Sequence, residues 1–489
     1  MIGTIVTTKG ICIVKRQGER LFLPYDKAKD FKIGDSIKFD NVIESKPMRE
    51  IGTVLSVINE NNFKDKQLVD NSKDEITNLL NKYLLIPNRP RDLTRLNTFS
   101  IDPKGSRDLD DAISSSNNRI YVHIPFFELS AELDKEAYEQ QYSIYFPKGS
   151  CSRGSNSKGS CFEEVYHLLP LNLSSKKYSL IENKLRLTWT VEFDLNMNFI
   201  DVYQAFIVNK HQLAYEDAKD SDFLKLAYEI YRKNKKVSNE NTKNKIKSHV
   251  PSYDYILKNG KLLEIKEKSH FESHSMIEFY MIRCNIAIAT YLLSKNILFP
   301  RRAHDSPKKS PNQNCNLSVF SPEVQSYLEI ISSFSAYYTT NNKSHHNLQI
   351  DNYTHFTSSI RRYIDQIISR LLLGEKITKE QLDDICTKAN IQEKKIDAMN
   401  EEFLSQKINE YLVDYPIHEG IITYVSSWGI HVLMIPLRLT AHIHVSKLST
   451  GERLLFQDNC LTGNRIFKLG DTIKLYAHFQ PDLTWYYVS

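Results

Sequence analysis

The fold is decided by the stretch Thr98-Phe-Ser-Ile-Asp-Pro-Lys-Gly-Ser-Arg-Asp-Leu-Asp-Asp-Ala-Ile-Ser114. Its apolar, strand-like ends flank four carboxylates that fall within ten residues: Asp102, Asp108, Asp110 and Asp111. On a regular strand these side chains would alternate between two faces, so all four can converge only if the backbone turns. Pro103 and Gly105 supply the chemistry of a turn. The stretch therefore predicts a carboxylate cluster at a turn between two strands.

Four carboxylates gathered this closely repel one another unless protons or cations neutralise them. Hard dications with oxygen ligands suit such a cluster, magnesium above all where phosphates are also bound. An acidic surface loop is the simpler alternative, and spacing alone leaves it open. An EF-hand loop does not fit, because the Asp spacing is wrong and the central Gly and closing Glu are absent. Metal-assisted phosphodiester chemistry is favoured, since paired metals about 3.5–4 Å apart can activate water and stabilise the leaving oxygen.

The composition describes a large protein without an obvious export signal. A chain of 489 residues is expected to divide into three or more domains, because a single core rarely grows so large. Its net charge of +5 permits a polyanionic partner without requiring one. The start is too short and polar for a secretion signal, and no membrane partner is expected because no apolar run reaches membrane-spanning length. The seven cysteines form no CxxC pair, so we expect reduced thiols and an intracellular, cytoplasmic location.

Both ends of the chain are rich in short strand patterns. The first sixty residues predict five strands: Gly3–Val6, Ile11–Lys15, Glu19–Leu23, Ser36–Phe39 and Gly52–Val57. These suggest a small OB-like barrel, a common platform for single-stranded nucleic acid, with a generic small barrel equally open. Near the other end, Phe467-Lys-Leu-Gly-Asp repeats the turn-into-strand signal of Phe31-Lys-Ile-Gly-Asp. A second OB-like barrel is therefore predicted there.

The middle of the chain alternates strand and helix patterns. The predicted elements are a hairpin of Ala112–Ser115 and Arg119–Ile124, helices at Leu133–Tyr145, His274–Asn296 and Thr378–Val413, strands at Leu185–Leu195 and Tyr203–Val208, and a flexible basic loop at Lys148–Ser160. The second of these helices is apolar nearly all round, which predicts burial. On it Glu278 and Asn285 lie seven residues apart on one face. They could line a channel, or form an internal hydrogen-bonding pair.

A second informative stretch runs from Tyr353 to Leu373. An apolar stripe predicts a helix here: Ile360, Ile364, Ile367, Ile368 and Leu371. Ser358 or Ser359 is a natural N-cap, which puts Arg361 and Arg362 in the first turn. Free N–H groups, a positive dipole end and two guanidiniums together favour an anion site, a phosphate seat. Surface salt bridging is the alternative.

Three motifs resemble the signatures of the ribonuclease II/RNase R family, the RNB-domain proteins: Ile101-Asp-Pro-Lys-Gly-Ser-Arg-Asp-Leu-Asp-Asp-Ala, Tyr353-Thr-His-Phe-Thr-Ser-Ser-Ile-Arg-Arg-Tyr and, more weakly, His274-Ser-Met-Ile-Glu. The chain's ending resembles an S1-type RNA-binding barrel and its opening a cold-shock-type barrel. The resemblance implies an α+β multidomain protein, with a mixed α/β RNB catalytic domain flanked by small OB-fold β-barrels. The implied domains are a cold-shock-like barrel at 1–58, a linker at 59–93, the RNB domain at 94–373, a helical extension at 374–414 and an S1-type barrel at 415–489.

The resemblance also implies a function. It is that of a magnesium-dependent 3′→5′ exoribonuclease that hydrolyses single-stranded RNA to 5′-nucleoside monophosphates, in RNA degradation or processing. One or two Mg²⁺ ions are implied, with Mn²⁺ as a substitute. A monomer is expected, and the sequence identifies no protein partner. A catalytically silent RNA-binding or regulatory protein is the main rival, and an endonuclease is another. A silent protein should lack an aspartate of the quartet or Arg361, and neither is missing.

The family's functional residues carry over to matching positions here. The catalytic set is Asp102, Asp108, Asp110, Asp111 and Arg361, of which the four aspartates would bind metal. Asp110 matches the aspartate most critical for catalysis, and Arg361 the arginine that stabilises charge on the scissile phosphate. The substrate-binding residues that the resemblance implies are Tyr145, which would pack on the terminal nucleotide, and His123, which would line the cavity. The helix patterns described above add Arg362, Glu278 and Asn285 to the expected substrate-binding residues.

Several departures from the family pattern accompany these matches. Ser359 replaces a proline of the family motif, and Ile364 and Ser369 replace its usual proline and histidine. The segment between His304 and Tyr353 is shorter than the family norm, there is room for one cold-shock barrel where many members have two, and Lys148–Ser160 resembles an insertion. These changes leave processivity, final product length and action on structured RNA open.

Overall fold

The computed structural model describes most of the chain from residue 90 onward, and the strands before residue 59 by their backbone. The described ranges are 90–116, 118–145, 165–218, 222–241, 252–258, 260–306, 319–448, 454–457, 460–463, 465–479 and 483–488. The predicted loop at Lys148–Ser160 and most of the predicted linker lie outside them.

The strands, in chain order, are β1 Ile2–Thr7, β2 Cys12–Arg16, β3 Glu19–Leu23, β4 Ser36–Phe39, β5 Val42–Glu44, β6 Arg49–Ile51, β7 Val54–Ile58, β8 Arg91–Asp92, β9 Asn97–Asp102, β10 Ala112–Ser116, β11 Arg119–Pro125, β12 Ile144–Tyr145, β13 Val165–Tyr166, β14 Leu185–Asp194, β15 Phe199–Ala214, β16 Tyr253–Lys258, β17 Lys261–Glu267, β18 Arg301–Ala303, β19 Tyr337–Thr339, β20 Ile417–Ser426, β21 Gly429–Met434, β22 Leu439–His444, β23 Leu455–Gln457, β24 Cys460–Thr462, β25 Ile466–Phe467, β26 Thr472–Phe479 and β27 Leu483–Val488. The α-helices are α1 Ala131–Gln140, α2 Lys225–Asn241, α3 Glu272–Ser294, α4 Pro322–Ser332, α5 Tyr363–Leu372 and α6 Lys379–Asp414.

The N-terminal strands form one sheet with the order β5-β6-β3-β2-β1-β4-β7. Five of them, β1, β2, β3, β4 and β7, fall where the sequence predicts strands. The short strands β5 and β6 are additional.

The central sheet closes on itself and carries the acidic stretch. Its order is β14-β11-β10-β9-β15-β8, and β14 also pairs with β15, which completes a ring of strands. Closure depends on the length of β15, which pairs with β14 through its first half and with β9 through its second. Because β9 ends at Asp102 and β10 begins at Ala112, the acidic turn lies at one rim of this ring.

Two helices fill the core next to the ring. The apolar helix α3 buries Tyr280 and Ile288, and α5 buries Ile364 and Ile368 in the same cluster. By length and composition α3 is able to cross a bilayer, which corrects the expectation that no apolar run is long enough. Half of its most apolar window is buried inside the protein, which is the placement of a core helix, so this single helix is weak evidence for a membrane span.

The C-terminal strands form a second compact unit. A sheet of order β22-β21-β20-β26-β27 is accompanied by a small sheet of order β23-β24-β25. At Gly429, the first residue of β21, a Cβ atom would lie 1.9 Å from the carbonyl oxygen of Ile443, so only glycine allows this approach of two strands. The end of α6 packs into the same core through Ile408 and Leu412.

Candidate active site

The acidic segment is held in place by the residue between its aspartates. After β9 the chain turns at Pro103, whose carbonyl accepts from the backbone N of Ser106 at 3.0 Å. Leu109 is then 1% exposed and packs in a small apolar cluster. Its backbone N donates to Ser179 Oγ at 3.0 Å, and its carbonyl accepts from Leu180 N at 3.1 Å. Anchoring Leu109 fixes the direction of its acidic neighbours on both sides.

Asp110 meets the second informative stretch of the sequence. Its carboxylate accepts from Arg361 Nε at 2.7 Å and from the backbone N of Ile360 at 2.9 Å. Arg361 also donates to Ser358 Oγ at 2.9 Å, which orients the guanidinium. Asp110 is 3% exposed, whereas the Arg361 side chain is 44% exposed. Two stretches some 250 residues apart thus form one site.

The crowded carboxylates hold protons more tightly than isolated ones. Burial and the charges of Asp111 and Asp110 raise the pKa of Asp102 well above its usual range. Burial raises the pKa of Asp110 to about 7, although Arg361 opposes the shift. Burial likewise raises the pKa of Asp111 to about 6. The site is therefore short of positive charge, and Arg361 alone does not neutralise it.

Tyr145 reaches the same cluster from another element. The predicted helix Leu133–Tyr145 ends at Gln140, and Tyr145 lies instead in β12, which corrects that prediction. The backbone N of Ser143 donates to the carbonyl of Arg361 at 2.9 Å, so β12 follows directly beside the arginine. From there the Tyr145 hydroxyl donates to Asp108, and the ring is 40% exposed.

Helix α5 begins later than the sequence predicts. Its N-cap is Arg362 and its first residue is Tyr363, so neither Ser358 nor Ser359 caps it, and the two arginines precede the first turn. The backbone N of Ser358 donates instead to Asp365 at 2.7 Å. Arg362 donates to the same carboxylate at 2.9 Å and is only 17% exposed. Arg362 is thus turned mostly inward, where it neutralises Asp365, and its expected contact with substrate stays a prediction.

Two further predicted substrate residues are in the interior. His123 is fully buried, and its ring nitrogens lie 2.7 Å from Ser114 Oγ and 2.9 Å from Thr190 Oγ1. Asn285 is 3% exposed and donates to the Tyr353 hydroxyl at 3.2 Å. Both side chains are engaged in hydrogen bonds inside the protein, and their predicted contacts with substrate stay predictions.

Glu278 is exposed on α3. It does not form the internal pair with Asn285 that the shared helix face suggested, because Asn285 bonds to the Tyr353 hydroxyl and to the backbone N of Phe356. Its predicted contact with substrate stays a prediction.

Tyr215 also borders the cluster and was missed by the sequence analysis. Its backbone N donates to the Asp102 carbonyl at 3.2 Å, and burial followed by the charges of Asp111 and Asp102 raises the pKa of its hydroxyl. Its ring stacks on His274 with centroids 3.8 Å apart. Tyr215 follows β15 and comes close to Asp102 because β15 pairs in parallel with β9. A pairing between strands so far apart in the chain leaves no local signal in the sequence.

The donor set suits a hard dication, because it consists of carboxylate oxygens. Asp102 Oδ2 is buried and has no hydrogen-bond partner in the described part of the chain. However, Arg361 holds Asp110 and Tyr145 holds Asp108. Among the described residues no three His, Cys, Asp or Glu side chains stand around a common point. The aspartates therefore fit the ion in chemistry, although two of the four carboxylates are engaged by protein groups.

A mixed α/β domain with an aspartate–arginine site, accompanied by β-rich units at both ends, defines the general class of this protein. The RNB domain model matches residues 90–153 and 160–374, more than half of the chain, so the protein belongs to the RNB-domain family. The break in the match falls within the stretch Lys148–Ser160. The family resemblance and the α+β fold class are thereby confirmed.

Several proteins in particular resemble this chain. Ribonuclease R of Aquifex aeolicus is 26% identical over 465 residues, which cover 79% of this chain and 63% of that protein. The chain thus spans about three-fifths of the length of that relative. The apo form of Mycoplasma genitalium RNase R superposes with a TM-score of 0.66 at 22% identity, covering 100% of this chain and 89% of that one. Yeast Ssd1, described as a pseudonuclease, superposes with a TM-score of 0.59 at 15% identity, covering 92% of this chain and 65% of that one.

Proposed function

We propose that this protein is a metal-dependent 3′→5′ exoribonuclease that hydrolyses single-stranded RNA to 5′-nucleoside monophosphates. The observation that carries the proposal is the contact of Arg361 with Asp110 inside a cluster of four aspartates. Family membership and the names of the ribonuclease R relatives support it. So does the solved complex of Mycoplasma genitalium RNase R with ribose methylated single-stranded RNA.

Arg361 and the carboxylates would have different roles in the reaction. The exposed part of the guanidinium would face the scissile phosphate and stabilise the negative charge that builds up on it. Asp102, Asp108, Asp110 and Asp111 would hold one or two Mg²⁺ ions, which relieve their mutual repulsion. A bound divalent ion lowers the pKa of water and polarises phosphoryl oxygens. The ring of Tyr145, exposed beside Asp108, would pack on the terminal nucleotide.

The C-terminal β-unit offers a surface for RNA bases. A row of rings crosses three of its strands, with Tyr424 and His431 centroids 4.8 Å apart and His431 and His442 centroids 4.2 Å apart. Trp428, in the β20–β21 turn, is 75% exposed. Stacking on such rings contributes about 1–3 kcal/mol per base with little sequence preference, so this unit would hold the strand while its 3′ end is degraded.

The test is a time course with single-stranded RNA labelled at its 5′ end, in Mg²⁺ or in EDTA. We expect stepwise shortening from the 3′ end in Mg²⁺ alone, and loss of shortening in Asp110→Asn. The matched control is Asp254→Asn, an exposed aspartate on β16, which should degrade RNA like the wild type. A circular RNA of the same sequence should stay intact. Cleavage of the circle would identify an endonuclease instead.

A catalytically silent RNA-binding protein is the second candidate. It is favoured by the arrangement of the aspartates, since two of them are engaged by protein groups. The pseudonuclease Ssd1 has the same fold, although at 15% identity the likeness concerns the fold alone. Tight binding of single-stranded RNA without shortening, in Mg²⁺ and in Mn²⁺, would establish this candidate and refute the exoribonuclease.

A further inference from the structure

Ser358 connects two aspartate–arginine pairs next to the start of α5. Its backbone N donates to Asp365 at 2.7 Å, and Arg362 donates to the same carboxylate at 2.9 Å. Its hydroxyl accepts from Arg361 Nη2 at 2.9 Å, because a guanidinium has donors only. Arg361 Nε in turn donates to Asp110 at 2.7 Å. One residue therefore joins the buried pair to the pair at the candidate site.

Ser358 is held more firmly than the arginine that it contacts. It is 3% exposed, and both its backbone N and its carbonyl are hydrogen-bonded, the carbonyl to the backbone N of Arg362 at 2.9 Å. The Arg361 side chain, in contrast, is 44% exposed. A long side chain in water samples many rotamers, and holding it in one of them costs entropy. The direction of Arg361 therefore depends on the contacts that the protein supplies.

Two hydrogen bonds on different nitrogens fix the direction of a planar guanidinium. Asp110 accepts from Nε and Ser358 from Nη2. With one of these bonds alone, the plane could swing about the remaining contact. With both bonds, the rest of the guanidinium points in a constant direction from the acidic cluster. Fixed guanidinium geometry of this kind suits the binding of phosphate oxygens.

We propose that Ser358 is a positioning residue for the proposed reaction, on which this inference rests: by holding Arg361 Nη2, it directs the guanidinium toward the scissile phosphate. Charge that builds up in a transition state is stabilised best by donors that are already in place and need not reorient. A guanidinium that swings would stabilise it less. Ser358 itself is buried and acts through Arg361.

The Ser358→Ala variant removes the second contact and keeps the bond between Arg361 and Asp110. Its kcat on single-stranded RNA labelled at the 5′ end, in Mg²⁺, should fall about 10- to 100-fold, the worth of one hydrogen bond to a charged group. The KM should change less, because the lost interaction matters most in the transition state. Ser358→Thr keeps a hydroxyl at this position and should recover much of the kcat.

The matched control is Ser359→Ala, which removes the neighbouring hydroxyl. Ser359 is 2% exposed, and its Oγ donates to the carbonyl of Pro125 at 3.1 Å. Its hydroxyl is thus as deeply buried as that of Ser358 but does not bind the guanidinium. Ser359→Ala should shorten RNA at the wild-type rate. Urea unfolding of each variant shows that the compared proteins are folded.

A double-mutant cycle with Arg361→Ala distinguishes positioning from a general structural role. If Ser358 acts through Arg361, Ser358→Ala should cause no further loss of kcat in the Arg361→Ala background. A structural role would lower kcat by the same factor in both backgrounds. That equal loss, or a wild-type kcat in Ser358→Ala, overturns the positioning role and leaves the exoribonuclease standing.

Failure of the proposed function would give a different result. A wild type that binds RNA and never shortens it refutes the exoribonuclease, and the same cycle is then measured as RNA affinity by fluorescence anisotropy. In that protein the guanidinium would hold a phosphate of bound RNA. Weaker binding in Ser358→Ala that disappears in the Arg361→Ala background keeps the positioning role. Unchanged binding, or equal weakening in both backgrounds, overturns it as well.

Discussion

Two aspartate–arginine pairs lie side by side in this protein, and they differ in what surrounds them. Arg361 binds Asp110 at 2.7 Å with 44% of its side chain exposed. Arg362 binds Asp365 at 2.9 Å with 17% exposed, and Asp365 is fully buried. The first pair keeps guanidinium surface for a ligand, whereas the second spends its hydrogen bonds inside the protein. Exposure, more than residue type or sequence position, separates a candidate catalytic arginine from a structural one.

The largest effect is expected when the interior pair of Arg362 and Asp365 is broken. Arg362→Ala leaves Asp365 as a buried charge without its partner, which typically costs about 3–5 kcal/mol of unfolding free energy. Urea unfolding followed by circular dichroism measures it. The double variant Arg362→Leu with Asp365→Leu removes both charges and should recover much of the loss. A single variant as stable as the wild type would show that the interior pair is dispensable.

The second prediction breaks the pair at the site. Arg361→Ala should lower the rate of RNA shortening by about 10²–10³-fold, the usual cost of removing one group that stabilises transition-state charge. Unfolding free energy should change less than in Arg362→Ala, because burial already raises the pKa of Asp110 to about 7 and this carboxylate can take up a proton when its partner is removed. Rates on labelled RNA and urea curves are compared for both variants. Equal loss of activity and stability in Arg361→Ala would erase the contrast between the two arginines.

A third prediction concerns His123, a polar residue that is buried in the interior like the pair of Arg362 and Asp365. Burial lowers the pKa of His123 to about 3, below its ordinary value of 6.5. As pH falls below about 6.5 the unfolded chain binds a proton that the folded chain refuses, so stability decreases toward acid. Through this effect the free energy of unfolding should be about 2 kcal/mol smaller at pH 5 than above about pH 6.5, where the histidine is neutral in both states. Unfolding free energies of wild type and His123→Gln between pH 7.5 and 5 measure it, and parallel curves would contradict it.

The smallest effect is expected at Tyr145, whose ring is exposed beside the Asp110–Arg361 pair. Tyr145→Ala should raise the KM for single-stranded RNA, because it removes the stacking of one base, which contributes about 1–3 kcal/mol to binding. Tyr145→Phe keeps the ring and removes only the hydroxyl that donates to Asp108, so its KM should stay near the wild-type value. A KM raised equally in both variants would mean that the hydroxyl, and not the ring, is the binding element.

Local patterns in the sequence predicted the types of element well. The hairpin of β10 and β11, the buried helix α3 and the long helix α6 lie where the sequence places them, because each depends on residues that are close together in the chain. The start of α5 was predicted wrongly. Serine is a good cap in isolation, but Asp365 takes the backbone N of Ser358, and a hydrogen-bonded turn from Ser358 to Arg362 precedes the helix that starts at Tyr363.

The sequence by itself determined that four aspartates gather at a turn, that a mixed α/β domain stands between β-rich ends, and which family the chain belongs to. Only the tertiary structure decided that Asp110 meets Arg361 and that Arg362 turns inward. The physical reason is that periodicity records which face of an element is apolar. It does not record which distant element covers that face, and these contacts depend on that pairing.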